Sequence, residues 1–198
     1  MCSLHNAHQI LGEYIAKRGP AQRDELVIAS KVAGYSPSSR IAAARSYPNA
    51  PIDPAPDCRL DGTSVKDAAH ASLRRLQTDR IDLMQIHWPD RYVPSFGMTT
   101  YHHDMERKGD EVPIMETASA LKDLIDEGKV RYIGLSNEST YGVCEWVRAC
   151  RELGIEDKLA SIQNPTTSST GGSTPSWPRR AIATALGCSR GPSSPGAS

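Results

Sequence analysis

No stretch of this chain approaches the roughly 20 consecutive apolar residues that a bilayer-spanning helix needs. Residues 1–6 have neither the basic start nor the apolar core of a secretory leader. An excess of one charge is also missing. Lys plus Arg number 23 and Asp plus Glu number 23, so the basic footprint of a nucleic-acid binder is absent. The five cysteines, Cys2, Cys58, Cys144, Cys150 and Cys188, are odd in number and form no C-x-x-C pair. That argues against a disulfide framework or a zinc site and for reduced thiols in a cytoplasmic compartment. A soluble, cytoplasmic protein is expected, acting on small molecules, with no nucleic acid and no membrane as partner.

What is present is a regular alternation. At 198 residues the chain can hold one domain with a real core, yet it falls short of the about 250 typical of a complete eight-fold α/β barrel. In residues 7–17, Ile10, Leu11, Tyr14 and Ile15 recur at helical spacing, with Lys17 and Arg18 in the last turn and Gly19 beyond. This predicts an amphipathic helix with those four on its core side. Leu26-Val27-Ile28-Ala29 predicts a strand ending in Ser30-Lys31. Residues 34–62, rich in Pro, Ser and Ala, show no sustained period and read as a long loop. Thr63 or Ser64 is expected to cap a helix to about Leu76 that buries Val65, Ala69, Leu73 and Leu76.

The centre of the pattern is Arg80-Ile81-Asp82-Leu83-Met84-Gln85-Ile86-His87-Trp88-Pro89. Leu83, Met84 and Ile86, with one interruption, read as a strand buried on both faces, and Pro89 stops it with His87 at the carboxyl end. An irregular stretch follows, carrying Tyr92, Phe96, Tyr101 and His102-His103, whose aromatics either wall a site or pack the loop. Pro113 suits the first turn of a helix with Ile114, Ala118, Leu121, Leu124 and Ile125, ended by Gly128. Residues 129–137 form a third strand finishing in Ser136-Asn137. A helix burying Val143, Trp146 or Val147, and Cys150 then stops near Gly154. Leu159-Ala160-Ser161-Ile162-Gln163-Asn164 is a fourth strand. Helix, then strand and helix three times, then strand predicts a parallel sheet with right-handed crossovers.

In such sheets chemistry gathers at the carboxyl ends of strands. Lys31, His87, Ser136, Asn137 and Gln163 all fall there. Each also has a plain structural alternative: Lys31 as a solvated strand end, His87 as a satisfied buried histidine, Ser136 or Asn137 as the N-cap of the next helix.

Val27-Ile28-Ala29-Ser30-Lys31, then Ser72-Leu73-Arg74-Arg75-Leu76-Gln77-Thr78-Asp79-Arg80-Ile81-Asp82-Leu83, Ile86-His87-Trp88-Pro89 and Gly128-Lys129-Val130-Arg131-Tyr132-Ile133-Gly134-Leu135-Ser136-Asn137 resemble, in order, successive signatures of the aldo-keto reductases. The His87-Trp88-Pro89 and Ser161-Ile162-Gln163-Asn164-Pro165 segments are similar to the Tas-like branch. The resemblance covers about residues 10–165. It implies a (β/α)8 TIM barrel of which about four strands are present, binding NADPH and reducing aldehyde or ketone carbonyls by hydride transfer. It implies catalytic roles for Lys31 and His87, and contacts to the nicotinamide carboxamide from Ser136, Asn137 and Gln163.

The sequence departs from that pattern in two places. The family's Asp and Tyr lie just before the helix that opens this chain, and residues 1–9 contain neither. The segments that would carry the 2′-phosphate site have no counterpart either. This copy is therefore expected to be catalytically inactive by itself. A non-catalytic reductase-like fragment or interaction module, as in channel β-subunit relatives, is the alternative. Residues 166–198, built largely of Thr, Ser, Gly, Pro and Arg, are expected to form a disordered tail after a domain spanning 1–165. An open four-strand piece exposes two sheet edges, so self-association through them is expected.

Overall fold

In the computed structural model, residues 4–94, 100–107 and 109–164 are described, with side chains from residue 7. Phe96 and the expected tail, 166–198, lie outside them. Helix α1 (Leu4–Arg18) is followed by α2 (Pro20–Asp24), strand β1 (Ala29–Val32), a short α3 (Arg40–Ala43), α4 (Gly62–Leu76), β2 (Ile81–Ile86), α5 (Ile114–Asp126), β3 (Val130–Ser136), α6 (Thr140–Glu152) and β4 (Leu159–Gln163). The strands pair in the order β1-β2-β3-β4, every pair parallel. This is the wall of a partial (β/α)8 barrel, as the alternation requires.

The helices cover one face. Val65, Ala69 and Leu76 of α4, Leu121 and Leu124 of α5 and Trp146 of α6 close over Met84, Ile86, Ile133 and Leu135 in one buried core. α1 joins it differently from the expectation. Of its four periodic apolar residues only Ile15 is buried, whereas Ile10 is 64%, Leu11 37% and Tyr14 44% exposed. The packed face is instead built on Gly12. A Cβ there would stand 2.3 Å from the carbonyl oxygen of Arg75 and 2.8 Å from the carbonyl carbon of Leu76, so bare backbone meets backbone on α4. Tyr14, turned outward, lies under the Arg18 guanidinium at 4.3 Å.

Three other details differ from expectation. β1 begins at Ala29, and Val27 is 81% exposed, because the Asp82 carboxylate takes the Ile28 N–H at 2.9 Å and holds the chain below the strand. α4 is capped by Asp61, which accepts from Ser64 N at 2.9 Å. The loop 34–62 contains α3 and a 3₁₀ turn at Ala44–Ser46. Beneath the sheet, Arg23 and Asp82 form a buried pair at 2.8 Å, with side chains 5% and 4% exposed.

Register decides what faces the concave side. Lys31, Gln85, Gly134 and Ser161 are Cα partners in one row across all four strands. Between Ile133 and Gly134 the pairing on β4 jumps from Leu159 to Ser161, leaving Ala160 as an extra residue. Such a bulge reverses facing. Leu159 is thus buried among the helices, while Ser161 and Gln163 join the concave face.

Candidate active site

The concave face turns polar toward the carboxyl ends. Lys31, the third residue of β1 rather than its end, crosses the mouth to place Nζ 2.9 Å from Oε1 of Gln163 on β4. Side chains from the two outermost strands therefore meet, which measures how strongly the sheet is curled. Gln85 of β2, 9% exposed, donates its amide to the same oxygen at 3.4 Å.

His87 follows β2 immediately, its backbone N–H donating to Val32 O at 2.8 Å. The ring is partly buried and stacks obliquely on Trp88, with centroids 4.4 Å apart. Burial, helped by the charge of Lys31, lowers its pKa below the ordinary 6.5, so it is neutral at pH 7. A neutral imidazole offers one N–H and one lone pair.

Ser136 ends β3 with 3% exposure, and Asn137 turns out of the strand at φ 51°, a left-handed conformation that Asn tolerates. Asn137 Nδ2 donates to His87 O at 2.9 Å and to Ser136 Oγ at 3.2 Å, while its backbone N–H donates to Gln163 O at 3.2 Å. One residue thus ties the ends of β2, β3 and β4 together. Neither Ser136 nor Asn137 caps α6; Ser139 does, accepting from Gly142 N at 3.1 Å. Of the two roles open to the Ser136-Asn137 pair, helix capping is excluded.

Two buried carboxylates hold the loops above. Asp90, 5% exposed, receives Arg59, Arg107 and the backbone N–H groups of Leu60 and Val112. Glu138, 3% exposed, pairs with Arg91, and Asn164 bonds both its backbone N–H and its C=O. Beneath these loops lies a cavity of about 320 Å³, lined by Lys31, Gln85 and His87, with Ser30, Ser72 and Arg75 at the β1 edge. Tyr92 and Tyr101 meet edge to face at 5.2 Å in the neighbouring loop. His103, 86% exposed, bonds Glu106.

The residues singled out from strand ends are thus near one mouth: Lys31 bonds Gln163, and Asn137 joins His87, Ser136 and Gln163. Sequence reasoning missed Gln85 and the two latches. The signal for Gln85 was visible, since it is the one polar interruption in an otherwise buried strand. For Asp90 the signal was only its place after Pro89, because its partners are 17 to 31 residues away.

Fold and site together define a class: a segment of an α/β barrel with a lysine, a histidine and an amide pair at the carboxyl ends of its strands. Comparison with known proteins makes this specific. The Aldo/keto reductase family profile matches residues 3–168, and the chain belongs to that family. It is similar to Protein tas of Escherichia coli strain K12, 36% identical over 155 residues, covering 78% of this chain and 40% of that protein. It is similar also to an aldo-keto reductase of Babesia bovis, 40% identical over 144 residues, covering 70% of this chain and 46% of the relative. Aldo-keto reductase YhdN of Bacillus subtilis strain 168 is 31% identical over 133 residues, 67% of this chain and 29% of that protein. The chain thus spans less than half the length of these relatives. No helix among the described residues is long and apolar enough to cross a membrane.

Proposed function

We propose that this chain carries the lysine–histidine part and the carboxamide cradle of an NADPH-dependent carbonyl-reducing site of the cytoplasm, and that the 198 residues alone bind the cofactor without turning over. The observation that carries the proposal is the convergence of Lys31, His87, Ser136, Asn137 and Gln163 on one concave mouth. The donor set suits a nicotinamide carboxamide. Asn137 has committed Nδ2 to His87 and Ser136, which leaves Oδ1 as an acceptor, and a serine hydroxyl and a second amide stand beside it.

NADPH, when bound, supplies the hydride that reaches the carbonyl carbon of an aldehyde or ketone. His87, held neutral, directs a ring N–H to the carbonyl oxygen and stabilises the negative charge that develops there. Lys31 places a cation beside the same oxygen and favours the ionised form of any acid that protonates it. Residues 1–9 offer neither Asp nor Tyr for that step, which is why turnover is not expected.

Titrating the chain with NADPH, monitored by quenching of tryptophan fluorescence, should give saturable binding. Oxidation of NADPH in the presence of 4-nitrobenzaldehyde, followed at 340 nm, should stay at background. Absence of saturation refutes the cofactor, and turnover above background refutes the inactivity.

A second reading, self-association, is favoured by a separate observation. β1 and β4 have no outer partner strand among the described residues, and Val27, Ile10 and Tyr14 are exposed beside β1. Light scattering after size exclusion should show a mass above 21.5 kDa. A monomer across the accessible concentration range removes this reading.

A further inference from the structure

We infer that Gln85 is a positioning residue that fixes which end of the Gln163 amide faces the mouth of the site, an inference whose functional meaning rests on the NADPH reading above. An ammonium group can only donate hydrogen bonds, so Lys31 at 2.9 Å selects the oxygen of the Gln163 side chain over its nitrogen. A carbonyl oxygen has two lone pairs, and the Gln85 amide, arriving from the central strand at 3.4 Å, occupies the second. With both lone pairs taken, Oε1 is turned inward and Nε2 is the end offered to a ligand.

The sheet is shaped for this reach. Gln85 lies between its row partners Lys31 and Gly134. To meet β4 it must pass over β3, and it does so where β3 has no side chain. A Cβ on Gly134 would stand 2.9 Å from Gln85 Cγ and 2.8 Å from Ser161 Oγ, closer than real contacts allow. Gly134 keeps the channel open, as a strand glycine commonly does where another group approaches closely. A buried amide on an otherwise apolar strand also carries a desolvation cost unless it is bonded. The bond to Gln163 is the side-chain contact that offsets it.

Side-chain amide NMR on the 15N-labelled chain tests the assignment without cofactor. In the wild type the two Gln163 Nε2 protons should have dispersed shifts and a restricted 15N order parameter. Gln85→Leu, nearly isosteric, should collapse both toward the values of a free glutamine. Gly134→Ala, which displaces Gln85 without removing its amide, should do the same. Unchanged Gln163 amide signals in both variants overturn the inference.

NADPH affinity is the second readout. Loss of one neutral hydrogen bond that orients the cradle should weaken binding about five-fold in Gln85→Leu, while the urea midpoint stays close to wild type because an apolar side chain replaces a buried amide. An unchanged Kd with a lowered midpoint would mean that Gln85 serves the fold alone, and that outcome also overturns the inference. If the wild type shows no NADPH binding, the cofactor reading fails, and the amide signals still decide whether Gln85 fixes Gln163.

Discussion

Replacing Asp90 by alanine should be among the most damaging single changes in this chain. The carboxylate is 5% exposed and its two oxygens receive five hydrogen bonds. Oδ1 accepts from Arg59 at 3.3 Å, Arg107 at 3.2 Å and Val112 N at 3.0 Å; Oδ2 accepts from Arg59 at 3.2 Å and Leu60 N at 3.0 Å. Breaking a buried ion pair by removing one partner costs about 3–5 kcal/mol. Here the guanidinium groups are 24% and 17% exposed and recover part of their hydration, which lowers that figure. The buried Leu60 N–H has no such route and adds about 1–3 kcal/mol. The sum is about 3 kcal/mol, or a fall of about 6–12 °C in Tm for a domain of this size. Asp90→Asn should lose nearly as much, since its single carbonyl oxygen replaces two acceptors and its NH2 faces donors. Asp126→Ala removes only the exposed i,i+4 pair with Lys122 and should cost at most about 0.5 kcal/mol. Urea unfolding followed by circular dichroism measures all three. A loss below about 1 kcal/mol for Asp90→Ala would refute the assignment of Asp90 as the latch between the loops after β1 and β2.

Three further outcomes are expected. His87 has a folded pKa below its ordinary 6.5, so the stability it contributes is complete above 6.5 and is lost as pH falls through the lower folded value. Urea midpoints of wild type should drop more between pH 7.5 and 5 than those of His87→Gln, and equal drops would exclude a shifted His87. Arg23→Ala leaves Asp82 buried and short of its closest charge partner, and should cost about 3–5 kcal/mol, read by the same unfolding assay; a loss under about 1 kcal/mol would show that Arg80 and Arg131 suffice. Gly12→Ala drives a methyl into the Arg75 carbonyl oxygen at 2.3 Å and should separate α1 from α4. Faster hydrogen exchange along α1 is the expected sign, and unchanged protection would contradict backbone contact there.

Much of the fold was legible because strand and helix periods are local. The strands around Met84, Ile133 and Ile162, and the helices around Leu73, Leu121 and Trp146, stand where their apolar spacing puts them. α1 was misjudged for a physical reason: periodicity counts large side chains, whereas its contact with α4 is made through a glycine, which no hydrophobic pattern reveals. The start of β1 was misjudged because Asp82, 54 residues away, claims the Ile28 N–H. At the site, strand ends identified Lys31, His87, Ser136, Asn137 and Gln163 because loop-facing polar residues break an apolar run. Gln85 and Asp90 depend on partners set by register and loop closure, and a linear sequence holds neither.

The extra residue at Ala160 makes the contribution of β4 a matter of counting. With Ala160 in place, Ser161 and Gln163 point to the mouth and Leu159 to the helices. Deleting that one alanine would leave every residue type of the site in the chain, yet invert the strand: Ile162 would enter the polar mouth, and Gln163 would be driven into the hydrocarbon core. In this part of the chain a change of identity at position 160 is a small event, and a change of length is a change of chemistry.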